Sequence, residues 1–427
     1  MKNEINNKMT ECKESIIVDN RLKKYVEAVV GIGVNIQPGQ NLVITCDVDN
    51  ANVARLAMEA AYRRGAADVM IRWTDDAINR IYYLMAPDER FGKVAEWECA
   101  RMQYMVDNEY HTLSITADDP ESLKGIDPER IEKDDKAYGL AFKPRSNQMM
   151  ASEIQWVVAS VPSVAWAKKV FPNAESDEIA VDLMWEAIFT ACRIDEGSDP
   201  VANWEQHVKY LQAKAKLLNE YNFTKLHFAN DAGTDLTVAL PKNHIWLACG
   251  EKAKTGISFV ANMPTEEVFT APQKDGVDGI VYATKPLSYM GDVIDDFWLR
   301  FKDGKVIEYA AGKNENLLKQ LVEFDEGASF LGEVALVPHS SPISQSGILW
   351  FNTLYDENAS CHFALGEAYP TCVKGAADKA EAEQAAMGIN HSLEHADFMI
   401  GSDDLDIIGT TQDGQAVQVF KQGEWAF

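Results

Sequence analysis

The sequence predicts an α/β protein in two parts: an open α/β sheet domain over residues 21–223 and a β-rich α+β domain over residues 224–427, after a polar extension over residues 1–20. Three observations predict it. Residues 20–116 alternate between helical and strand-like apolar periods, the pattern of a largely parallel sheet with helices packed on it. From about Thr224 the helical periods give way to short alternating runs joined by tight-turn dipeptides. A chain of 427 residues also exceeds what one ordinary core accommodates.

In chain order, RLKKYVEAVVGIG reads as a helix, NLVITC as a strand after the PGQ turn, and ANVARLAMEAAYRRG as a helix stopped by Gly65. DVMIRW is the next strand, followed by helical segments through Met105 and the apolar strand HTLSIT. A charged passage over residues 118–136 leads to the strand IQWVVASVP, and helices over 182–191 and 204–219 close the first part. The aromatic residues there suit a core better than a cofactor box. In the second part, runs 225–228 and 236–240 flank NDAGT, runs 301–302 and 306–309 flank Asp303-Gly304, and runs 405–408 and 417–420 flank Asp413-Gly414, three hairpin signals. The Ala-rich, charged stretch 375–394 reads as a helix that would deliver His395 at its C-terminal end.

Composition narrows the function. A net charge of −26 with no offsetting Lys/Arg cluster excludes nucleic acid as a natural partner. No apolar run approaches the roughly 20 residues that span a bilayer, and MKNEINNKMTECKE lacks a signal-peptide core, so no membrane partner and a cytoplasmic location are expected. The seven cysteines have no CxxC spacing, which argues against a disulfide framework or zinc knuckle. No Walker motif is present, and VVGIGVNI lacks the glycine pattern of a dinucleotide site, so no nucleotide cofactor is expected.

The chemistry-bearing residues stand where a packed core would not want them. Glu266 and Glu267 lie in NMPTEEVFTAP, Glu333 in FLGEVALVP, Glu357 and His362 in YDENASCHFALG, and His395 and Asp397 in HSLEHADFMIGS. Singly, each has a plain structural explanation: a half-buried strand for Glu333, a satisfied interior histidine for His362, the polar face of a strand for His395 and Asp397. Buried carboxylates are costly unless paired or bound to a cation, and four segments carrying carboxylate and imidazole together suit a metal such as zinc, cobalt or manganese. Adjacent residues on a strand point to opposite faces, so Glu266 and Glu267 cannot both enter one site, and Cys361 beside His362 is a packing residue rather than a thiol nucleophile.

These segments, together with LKKYVEAVVGIGVNIQPGQNLVI, DDPESLKGIDPERI and PSVAWAKKVFP, resemble the aminopeptidase T family of thermophilic-type metallo-aminopeptidases, in order and spacing, from about Arg21 to Phe427. The resemblance implies a two-metal exopeptidase that removes the N-terminal residue of peptides with a free N-terminus. It implies metal binding by Glu267, Glu333, His362, His395 and Asp397, a further acidic position at Glu357, either at the metals or as their proton-transfer partner, and an active-site tyrosine at Tyr369. Two divalent ions per chain are implied, zinc first, with cobalt, manganese or magnesium as alternatives. A homodimer is implied as well. His391 falls beside the ligand position, not on it.

The chemistry is coherent with that set. A cation lowers the pKa of bound water from about 16 to about 7, which provides a nucleophile at neutral pH. Two ions need a bridging carboxylate, for which Glu333 is the candidate, and either Glu333 or Glu357 is the general base. Tyr369 would donate to the oxyanion. Two other readings stand beside this one: a mononuclear-iron ring-cleaving dioxygenase on a similar scaffold, and a catalytically silent peptide-binding protein.

Overall fold

Strands Asn41–Asp47, Asp68–Thr74, His111–Thr116 and Trp156–Ser160 pair in parallel in the computed structural model, which describes residues 20–117, 119–290 and 292–427. Period-two alternation sorts their side chains. Leu42, Ile44 and Cys46 enter a core with helices Asn20–Ala28, Ala51–Arg63 and Asp177–Ala191, while Val43 meets Met102 and Met105 of the helix Glu96–Asp107 on the other face. Helices thus cover both faces, as parallel strands require. The fifth strand of this sheet, Asn262–Met263, arrives from far along the chain and pairs with Trp156–Ser160. It brings the backbone just ahead of Glu266 and Glu267 to the edge of the first sheet.

Apart from Asn262–Met263, the strands of the second region pair antiparallel. A nine-stranded sheet carries the three expected hairpins, including Asp292–Lys302 with Lys305–Lys313, where Asp303 and Gly304 both have positive φ, as a two-residue turn of this hand needs. Against it packs a five-stranded sheet in the order His395–Met399, His362–Gly366, Leu331–Leu336, Val268–Thr270 and Leu247–Ala248. Between the sheets Phe363 meets Phe228 at 4.9 Å and Phe398 meets Phe297 at 5.9 Å between ring centroids. Among the described residues no helix is long and apolar enough to cross a membrane.

One segment gains an element not expected from the sequence, and one expectation needs correction. The charged passage over residues 118–136 contains the start of a long helix, Pro128–Met150, opened by the Asp127 side chain capping the Glu129 N–H with Pro128 in the first turn. The helix expected over 375–394 is reduced to Glu381–Ala386, and His395 opens a strand instead of ending a helix. Gly388, at φ +92°, stops the helix, and the buried Asn390 side chain then binds the Gly327 and Gly366 carbonyls, which commits the following chain to the sheet. Residues 1–19, with Cys12, lie outside the described residues.

Candidate metal centre

The five-stranded sheet has one apolar face and one face that bears the site. Val334, Leu336, Phe363, Leu365, Ala396 and Phe398 enter the inter-sheet core. Their neighbours Glu333, Ala335, His362, Ala364, His395 and Asp397 therefore share the opposite face. A register shift between Leu331 and Glu333 sends Leu331 into the core while leaving Glu333 on the site face. Gly332 occupies that shift because a Cβ there would collide with the Glu367 carbonyl.

Glu333 is buried and common to two groups of side chains. With Glu267 and His362 it presents ligand-type atoms all within 4.8 Å of one another, and it does the same with His395 and Asp397. His362 Nε2 stands 3.2 Å from Glu267 and 3.7 Å from Glu333; His395 Nε2 stands 3.6 Å from Glu333 and 3.5 Å from Asp397. Each imidazole is anchored through its other nitrogen, His362 Nδ1 to the Ser360 carbonyl at 3.1 Å and His395 Nδ1 to the Glu367 carbonyl at 2.8 Å. A carbonyl accepts only, so Nδ1 carries the hydrogen and Nε2 faces carboxylate oxygens. That arrangement needs a proton or a metal ion at Nε2, and the second is the usual backing of a metal-ligating histidine. The donor set fits divalent ions of the zinc type.

The electrostatics of the metal-free site agree. Burial opposes charge on both imidazoles, but the carboxylates outweigh it: Glu267 and Glu333 hold His362 well above the ordinary histidine value, and Asp397 and Glu333 bring His395 to about 10. Burial raises Glu333, and Glu267 and Asp397 add to it against His362. Asp397 is lowered, since His395 and His362 overcome its burial. Three carboxylates, Glu267, Glu333 and Asp397, thus face two imidazoles across the two groups.

Glu357 lies outside both ligand groups, yet burial and the charges of Asp397 and Glu267 push it well above the usual carboxylate range. Tyr369 sits against His395, with ring centroids 5.3 Å apart, and its phenol is raised by burial and by Glu333 and Asp397. Glu266 turns away, held by Arg193 at 2.5 and 2.8 Å with His207 3.7 Å off, although neither acid lies on a strand as expected: residues 264–267 link Asn262–Met263 to Val268–Thr270. His391 binds Glu367 rather than the cluster, at 3.1 Å. Cys361 is buried and exchanges hydrogen bonds with the Val337 backbone, and burial first of all pushes its thiol up to about 12.

Sequence reasoning missed Arg193 and Asn358. Arg193 lies in the first part of the chain with no pattern pointing to Glu266. Asn358 follows Glu357 directly, accepts the Glu266 N–H at 2.7 Å and was readable only as part of the acidic segment.

Residues 18–425 match the model of the thermophilic metalloprotease family M29. The chain is 47% identical over 404 residues to aminopeptidase PepS of Streptococcus thermophilus, covering 95% of this chain and 97% of that protein. Its structure matches AmpT from Thermus thermophilus with a TM-score of 0.89 at 35% identity, over 95% of this chain and 99% of that one. A 2,5-dihydroxypyridine dioxygenase from Pseudomonas putida matches with a TM-score of 0.52 at 13% identity over 95% of this chain and 96% of that one, a likeness of fold alone.

Proposed function

The chain belongs to the thermophilic metalloprotease family M29 and is a metallo-aminopeptidase, and from that premise we propose that Glu267, Glu333, His362, His395 and Asp397 hold two divalent ions with which it removes the first residue of peptides. The observation that carries the proposal is Glu333, which belongs to both groups of ligand atoms at once. Bound there, the ions would supply Lewis acidity and a water acidic enough to attack a peptide carbonyl near neutral pH.

The protein's own residues do the rest. Glu333 bridges the two halves of the site, with Glu267 and His362 on one side and His395 and Asp397 on the other. The Ser360 and Glu367 carbonyls orient the two rings and keep Nε2 of each turned inward. Glu357, free of both ligand groups, takes the proton from the attacking water and returns it to the leaving amine; that it stands apart from the ligands supports it over Glu333 as the base. Tyr369, beside His395, donates its hydroxyl to the oxyanion. A substrate's free α-amino group would be held by one of the ions or by a carboxylate beside them, which accounts for cutting at chain ends.

Zinc is the proposed ion, with cobalt, manganese or magnesium as alternatives of compatible ligand preference. The working division of labour assigns the metals to residues 224–427 and a supporting role to residues 21–223. A homodimer follows the likeness to the family. Cytoplasmic residence is supported by the free thiols of all six cysteines among the described residues.

The test is a panel of free-amine and N-acetylated peptides, with and without chelator. Loss of the amine contact costs roughly 2–5 kcal/mol, so stepwise release from free peptides and near-complete loss on acetylation are expected. Efficient cutting of acetylated peptides at internal bonds would refute the proposal.

A further inference from the structure

Asn358 is completely buried between two acidic segments of the site. Its side-chain oxygen accepts the Glu266 N–H at 2.7 Å, and its side-chain nitrogen donates to the Leu354 carbonyl at 2.9 Å and to Glu357 Oε1 at 3.3 Å. These partners dictate the orientation of the amide, because one side faces a donor and the other faces two acceptors. Aspartate at this place would set a second carboxylate against Glu357, and leucine would orphan a buried N–H.

The contacts reach two functional acids. Glu266 precedes Glu267 and is held at both ends: its carboxylate by Arg193, its N–H by Asn358. Glu267 is the next residue of that backbone, so anchoring Glu266 through both its side chain and its N–H restrains the position of the Glu267 backbone. The same amide restrains the carboxylate of Glu357. We propose that Asn358 is a positioning residue for the aminopeptidase reaction, fixing the Glu357 carboxylate relative to the backbone that carries Glu267. The proposal rests on the metal-centre reading above.

The experiment compares wild type, Asn358→Asp, Asn358→Ala, Glu357→Gln and the Asn358→Ala/Glu357→Gln double variant. It measures kcat and KM on a free-amine peptide, and zinc affinity by competition with a chelator. Asn358→Ala is expected to lower kcat about 10- to 100-fold with KM changed by less than about threefold, and to weaken zinc binding about 10-fold or more. Asn358→Asp keeps the acceptor for the Glu266 N–H, so it should lose kcat while holding zinc within about threefold of wild type. In the Glu357→Gln background, Asn358→Ala should cost less than about threefold further in kcat, because the residue it positions is already disabled. Full additivity of the two substitutions, or wild-type kcat and zinc affinity in Asn358→Ala, would overturn the proposal. If Asn358→Asp does not fold, the alanine variant and the double-variant comparison decide. A wild-type protein that releases no residue from the peptide would defeat the functional reading, while the zinc affinities of the same variants would still decide whether Asn358 positions the site.

Discussion

Glu333 and Asp397 flank the same alanine: Ala364 is the cross-strand partner of both. The three residues form one row across three antiparallel strands, and Ala364 is fully buried. A methyl group between two carboxylates leaves the space above it free for what the carboxylates share. Ala335, opposite His362, leaves the same kind of space one row away.

Filling that space is the first prediction. Ala364→Leu should weaken zinc binding by at least about 10-fold and reduce activity in proportion, while overpacking costs about 1–3 kcal/mol of stability. Chelator competition and thermal unfolding measure the two effects. Undiminished zinc affinity in a folded Ala364→Leu variant would show that the row does not border the ions.

Glu333→Ala should differ in kind from the other ligand substitutions. Metal analysis of wild type should give about two divalent ions per chain under saturating zinc, as a bridged pair requires. Glu333→Ala should lose both, whereas Glu267→Ala and Asp397→Ala, each on one side, should weaken one ion more than the other. His362→Ala should lower occupancy and abolish activity. No transition metal in wild type, with no activation by zinc, cobalt, manganese or magnesium, would sink the two-ion reading.

Tyr369→Phe removes one hydroxyl and leaves the packing of the ring on His395 in place. If that hydroxyl stabilises the oxyanion, kcat should fall on the order of 10²- to 10³-fold with metal content unchanged. Steady-state kinetics with metal analysis on the same preparation tests it, and an unchanged kcat would leave Tyr369 a packing residue.

Metal uptake should release protons. In the metal-free site burial works against protonated His395, but Asp397 and Glu333 hold its pKa at about 10, above the free value of 6.5. The ring is therefore protonated at neutral pH, and an ion must displace that proton from Nε2. Zinc affinity should rise with pH up to about 10, and an indicator dye should register roughly one proton or more per chain on zinc addition at pH 7.5. The linked stability of the metal-free protein has the opposite sign: a folded pKa above the unfolded one stabilises fully below pH 6.5 and is lost as pH rises through about 10. Proton-neutral zinc binding would contradict this picture.

Much of the architecture was legible because its causes are local. Alternation of apolar residues in NLVITC and HTLSIT, the Asp303-Gly304 turn and the stop at Gly65 act over a few residues, and each reappears as a strand, hairpin or helix end. The misplaced polar residues of the second region were legible for a similar reason, since a carboxylate inside an apolar strand stands out whatever surrounds it. The stretch 375–394 misled because alanine and charge favour a helix in isolation, whereas Gly388 and the buried contacts of Asn390 belong to the folded chain.

By itself the sequence determined the two textures of the chain, the order of most elements and the residue types that four segments bring to bear. Through the family resemblance it also pointed to Glu267 rather than Glu266 as the ligand, although the strand expected to separate the two is absent from residues 264–267. Tertiary structure supplied the physical reason: Arg193, 73 residues earlier, pairs with Glu266 and leaves Glu267 to His362. It decided as well that Glu357 falls outside the two groups of ligand-type atoms while still feeling the charges of Asp397 and Glu267, and that Ala364 separates Glu333 from Asp397. These are distances between segments whose separation along the chain carries no signal, and they exist only once sheet register has set one strand against another.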